Sequence, residues 1–137
     1  MLTTLEHDRR VDEAEVGWIV SKRAAAMRAR DADWLAARYL PGAPVVGPTP
    51  PLTRIADPRG DVPRLWEWFR LLQGRIGWSV RIQKVRVNGD RATCHCVEHV
   101  SVRGWMQRRA RLTLATTIGL RRVHQVWRIE WEHAVAE

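Results

Sequence analysis

The sequence predicts an α+β domain, with three helices packed on one face of a curved antiparallel sheet. Three observations predict it. Apolar residues recur at helical spacing as far as about residue 74, the period then changes to two, and Asn88-Gly89-Asp90 is a hairpin turn between two alternating runs. The 137 residues are expected to form a single domain, with residues 1–10 as a flexible N-terminal tail.

The first helix is placed at Val11 to Arg30. Val16, Ile19, Val20, Arg23, Ala24 and Met27 share one of its faces, with acids in the first turn and bases in the last. Asp31 caps a short second helix, Ala32 to Tyr39, which Pro41-Gly42 ends. A Pro- and Gly-rich connection follows, with a short strand at Pro44–Gly47 and no regular pairing expected after Pro48-Thr49-Pro50-Pro51-Leu52. Asp61 and Pro63 open a third helix, Val62 to Gly74. A strand from Ile76 to Val87 with a bulge at Lys84 comes next, then strands at Arg91–Arg103, Arg108–Arg122 and Val126–Val135.

Composition narrows the function. The net charge of +8 is nearly all arginine, with Lys22 and Lys84 the only lysines, and the arginines are spread along the chain. A solvated or locally paired surface explains this better than a nucleic-acid face, so no nucleic-acid partner is expected. No apolar run approaches the ~20 residues of a membrane span, and the polar, acidic start is unlike a signal peptide. A cytoplasmic protein with no membrane partner is expected. Cys94 and Cys96 lie ~6.6 Å apart on one strand face and read as small buried hydrophobes. Within Cys94-His95-Cys96-Val97-Glu98-His99 the cysteines point opposite to the histidines. His95 and His99 themselves lie ~13 Å apart, so this strand alone makes no tetrahedral metal site.

Three stretches carry a family resemblance: Ala26–Val46 (AMRARDADWLAARYLPGAPVV), Val87–Cys96 (VNGDRATCHC) and Thr117–His133 (TIGLRRVHQVWRIEWEH). In order and spacing they resemble the nuclear transport factor 2 (NTF2)-like superfamily, in its SnoaL-like and ketosteroid-isomerase-like branch. The resemblance implies an NTF2-like (cystatin-like) cone in which a bent sheet and three helices enclose a deep pocket. It also implies frequent homodimers and chemistry without a cofactor. The steroid isomerase set is missing: its base position falls at about Gly47, its tyrosine at Arg23 and its acid donor near Thr117 or Ile118. A glycine expected before Trp127 is also replaced in Val123-His124-Gln125-Val126.

Candidate site residues follow from strand parity. His95 and His99 share a face with Val97. Matched to the isomerase branch, that face lines the pocket, where two imidazoles supply acid and base near neutral pH. The opposite parity would turn them to solvent or a partner. Only one of Glu132 and His133 can point inward from a regular strand. Glu132 in the pocket serves as acid or base, or else it pairs with an arginine on a neighbouring strand. Arg23 meets a ligand anion or an acid of the protein. Met27, Trp66, Trp68, Phe69, Trp78, Val97 and Thr117 are the expected ligand-contacting residues. The functional expectation is a cofactor-independent acid–base enzyme of isomerase, cyclase, hydrolase or dehydratase type. It would act on a hydrophobic small molecule in secondary metabolism, as polyketide cyclase-like proteins do. The alternative is a non-catalytic binding or dimeric assembly module of the same fold.

Overall fold

A computed structural model describes residues 3–48, 53–104 and 108–137. Helix α1 spans Thr4–Ala29, α2 Ala32–Arg38 and α3 Asp61–Arg70. The strands are β1 (Pro44–Val46), β2 (Arg54–Ile55), β3 (Gly77–Asn88), β4 (Arg91–Arg103), β5 (Arg109–Val123) and β6 (Val126–Ala136). They form one sheet in the order β2-β1-β6-β5-β4-β3, antiparallel except where β1 runs parallel to β6.

Helix α1 begins seven residues before the expected Val11. Thr3 and Glu6 form a reciprocal capping box, Glu6 N donating to Thr3 Oγ1 (3.1 Å) and Thr3 N to Glu6 Oε2 (3.2 Å). Most of the expected tail is therefore helical, and residues 1 and 2 lie outside the described residues. The expected apolar face is the buried face, and the helix packs along β3. It ends with Arg30 in the left-handed region (φ 55°), a place glycine usually takes. The Asp31 carboxylate accepts from Trp34 N (3.1 Å) and caps α2, which stops at Arg38 because Tyr39 turns extended and bridges to Ile129 of β6.

Two expectations about the connections are corrected. The chain does resume regular pairing after the Pro-rich segment, since Arg54 and Ile55 pair with Val45 and Pro44. Of that segment, residues 49–52 lie outside the described residues. Helix α3 ends at Arg70, not Gly74, as the chain leaves to pair with the end of β4: Leu72 bridges Gly104 and Gln73 N donates to Arg103 O (2.8 Å).

Strand β4 has the expected limits, and the β3 irregularity falls between Ile82 and Lys84, at the expected place. The turn from β5 to β6 has two residues, His124 (φ 50°) and Gln125 (φ 67°). It is a tight hairpin turn made without glycine. Lower in this hairpin Gly119 faces Trp131 and Leu120 faces Ile129, so Glu130 is left over as a bulge. Gly119 has a steric reason: a Cβ there would sit 2.0 Å from the Trp131 indole nitrogen.

The interior divides into two apolar clusters. One gathers Val16, Val20, Cys94, Cys96, Ile118, Trp127 and Ile129. The other gathers Met27, Leu65, Phe69, Trp78, Val100, Leu114 and Ala134. On four elements the residue between the two clusters is polar and buried: Arg23 on α1, Glu98 on β4, Thr116 on β5 and Glu132 on β6. A polar layer thus crosses the core between two apolar ones.

Candidate functional site

The polar layer is built around Arg23, which is 0% exposed. Its position on the apolar face of α1 carries the guanidinium into the sheet's concave side. Nε donates to Glu132 Oε1 (2.7 Å) and Nη2 to Glu132 Oε2 (3.0 Å), a bidentate grip. Nη1 donates to Glu98 Oε2 (2.6 Å). Trp78 Nε1 donates to the same Glu98 oxygen (2.5 Å), and the Tyr39 hydroxyl donates to Glu132 Oε1. The five side chains come from α1, the end of α2, β3, β4 and β6, and none is more than 3% exposed.

Burial alone would lower the Arg23 pKa. The carboxylates of Glu132 and Glu98 reverse that and hold it well above its ordinary value. Burial first, and then the Glu132 carboxylate, push the Tyr39 phenol well above its ordinary range. Arg23 therefore stays charged and Tyr39 neutral. One guanidinium faces two carboxyl groups, so the layer holds one acid more than its central cation matches.

That surplus has a position. Glu98 Oε2 is fixed by Arg23 and Trp78, whereas Oε1 is buried with no hydrogen-bond partner among the described residues. Thr116 Oγ1 is likewise buried without a partner among the described residues. Glu98 faces Leu114 and Cys96 faces Thr116 across the β4–β5 ladder, so the acid and the hydroxyl are diagonal neighbours on the inner face. A proton acceptor and a hydroxyl donor on one buried face are the minimum equipment for moving a proton next to a polarised oxygen.

Parity decides the remaining candidates. Cys94, Cys96 and Glu98 face inward on β4, so the expectation that His95 and His99 line the interior is corrected. Both are exposed on the outer sheet face, where their Nδ1 atoms lie 3.2 Å from Thr117 Oγ1 and Thr113 Oγ1. Val97 and Thr117 share that outer face, and Val97 is buried there. On β6 the bulge at Glu130 shifts the alternation by one residue. Glu132 points in and His133 points out. Glu132 pairs with Arg23 of the helix, not with an arginine on a neighbouring strand. Met27, Phe69 and Trp78 are buried in the second cluster, Trp68 is half-buried against Phe69, and Trp66 is exposed on the flank of α3.

Glu98 and Tyr39 were not among the expected site residues. Glu98 had a signal: it is the one acid in the alternation Ala92, Cys94, Cys96, Glu98, Val100. Arg23 is the matching lone cation on the apolar face of the first helix. Two isolated opposite charges on two apolar faces are expected to meet, because neither can be buried alone. The path from the end of α2 to Tyr39 had no such signal.

The model of the SnoaL-like domain matches residues 18–135. The chain belongs to this family. Solved structures share the fold. A protein from Streptomyces avermitilis, provisionally named a dehydratase of the NTF2-like family, superposes with a TM-score of 0.76 at 19% identity, over 94% of this chain and 98% of that one. A conserved protein from Planctomyces limnophilus gives 0.75 at 15% identity over the same shares. One from Xanthomonas campestris, provisionally named a calcium/calmodulin-dependent protein kinase II association domain, gives 0.63 at 18% identity, over 90% and 86%. At these identities the likeness shows the fold, an NTF2-like (cystatin-like) one. A search of the curated proteins returned no match. Against the steroid isomerase pattern this SnoaL-like chain has Ile118 and Thr116 inward on β5 and no acid there, the carboxyls of its polar layer arriving from β4 and β6.

Proposed function

We propose that this chain is a cofactor-independent acid–base enzyme acting on an apolar small molecule, with the polar layer as its reacting centre and Glu98 as the carboxylate that moves the proton. The observation that carries this reading is the half-used carboxylate of Glu98. One oxygen is held by Arg23 and Trp78, and the other is buried without a hydrogen-bond partner among the described residues, with Thr116 diagonal to Glu98 across the β4–β5 ladder. In the proposed step Glu98 Oε1 takes a proton from a carbon next to a carbonyl, and Thr116 donates to the oxygen on which negative charge develops. Returning the proton at another carbon is isomerisation; loss of a β-hydroxyl is dehydration. Glu132 has both oxygens engaged, so it holds Arg23 in place and is a positioning residue.

The test does not require the natural substrate. Apolar ketones incubated with the protein in deuterated water should gain deuterium next to the carbonyl. Glu98→Gln should slow this by ~10²-fold or more, while Glu132→Gln should act mainly through loss of stability. Exchange no faster than in buffer across a panel of aromatic and polycyclic ketones, or Glu98→Gln exchanging like the parent, would sink the assignment.

The second reading, a non-catalytic binding or assembly module, is favoured by the closure of the layer. Arg23, Tyr39, Trp78, Glu98 and Glu132 are all at 3% exposure or less, so a ligand reaches them only by displacing side chains. On that reading the layer sets how the helices seat on the sheet, and no panel compound exchanges.

A further inference from the structure

A groove of about 800 Å³ runs along the flank of α3, outside the polar layer. Its apolar walls are Val62, Trp66, Phe69 and Leu72, and Arg30 and Arg70 bring positive charge to it. Trp66 is 51% exposed and meets Phe69 edge to face (6.4 Å between centroids, 85°), so it is a flat apolar surface open to water and held at one edge. Phe69, in contrast, is buried and forms the floor.

The charges are arranged unequally. Arg30 sits where α1 ends, in the left-handed conformation that a non-glycine residue adopts at a cost. Its Nη2 donates to Leu72 O (3.1 Å) and Gly74 O (2.9 Å), so its cation is anchored by the backbone on the groove's own wall. Arg70, in the last turn of α3, is exposed and has no ion-pair partner among the described residues. Among the described residues Glu67 is the only acid lining the groove, against Arg30 and Arg70, which leaves that lining one positive charge in excess.

We infer that this groove is a binding site for a planar apolar anion, an aromatic or polycyclic carboxylate whose ring system lies against Trp66 and whose anionic group meets Arg70. Volume, an exposed indole and an excess of guanidinium agree on that class. A neutral apolar ligand would use the walls and leave the cation unused. A strongly charged, ring-free ligand would leave the indole unused. The inference does not depend on the acid–base reading, because none of the groove's residues belongs to the polar layer.

The test is a calorimetric or NMR titration of the whole chain with 2-naphthoate and, separately, with the neutral isostere 2-naphthamide. For ligands of this size the dissociation constant should be on the order of 100 µM. Naphthoate should bind ~5-fold or more tighter than the amide. Arg70→Gln should erase that preference while leaving amide binding unchanged. Trp66→Ala should weaken both ligands ~5-fold or more, and Glu67→Gln should strengthen naphthoate alone. All three positions are exposed, so circular dichroism is expected to report an intact fold. Equal affinity for the two ligands, unchanged affinity in Trp66→Ala, or no binding at millimolar concentration overturns the site. So does a dimer that Trp66→Ala dissociates while neither ligand competes with it, since a second copy would then be the occupant.

Discussion

Tyr39 is the chain's only tyrosine, and its hydroxyl lies inside the polar layer. Its raised pKa makes a titration prediction with a definite sign. The folded chain holds the phenolic proton more tightly than the unfolded chain, which releases it near pH ~10. The stabilising contribution is therefore complete below that pH and is lost as pH rises toward the folded value. Alkaline titration should show no phenolate absorbance in the native protein near pH 10. The phenolate signal should appear together with loss of tertiary structure. A phenolate rising at the ordinary pH in a folded chain would contradict the burial of Tyr39. Residue-scale reading was uneven in its reach. The buried face of α1, including Arg23, was legible because helical periodicity averages over several turns. The inward turn of Glu132 was not, because one extra residue reverses everything after it.

Among the elements, the β5–β6 hairpin combines two costs. Its turn places His124 and Gln125 at positive φ, where a Cβ is crowded against the backbone. Gln125→Gly relieves one of the two positions and should raise stability by about 0.5–1 kcal/mol. That corresponds to a rise of roughly 2–4 °C in Tm for a chain of this size, readable by calorimetry. A fall in Tm would mean that the Gln125 side chain contributes something the conformational argument omits. Element limits were legible wherever patterning was continuous, as for β4. They were missed where a local capping or pairing interaction overrode it. Thr3 and Glu6 start α1 early, and Gln73 pairing with Arg103 stops α3 before its apolar pattern ends.

Across the whole molecule, the polar layer separates two apolar clusters that would otherwise merge. Buried ions of this kind are costly to break and far less costly to remove together. Arg23→Met leaves two buried carboxyls without their cation and should cost about 3–5 kcal/mol in chemical denaturation. Combining it with Glu98→Gln and Glu132→Gln should recover a large part of that loss. Strict additivity of the three changes would show that the side chains do not act as one unit. The α+β architecture was legible from the change of period near residue 74. What periodicity leaves out is how two distant elements align their single charged residues, since that depends on where α1 seats along the sheet.

The leftover residue at Glu130 bears on how this strand is compared with others. Leu120 faces Ile129 and Gly119 faces Trp131, so Glu130 has no residue of β5 to itself and every later side chain of β6 is turned over relative to simple alternation. An alignment of β6 with an unbulged strand therefore requires a one-residue gap at Glu130. Aligned without that gap, His133 is matched to interior positions and Glu132 to surface ones, and the interior acid of this chain is misread as an imidazole.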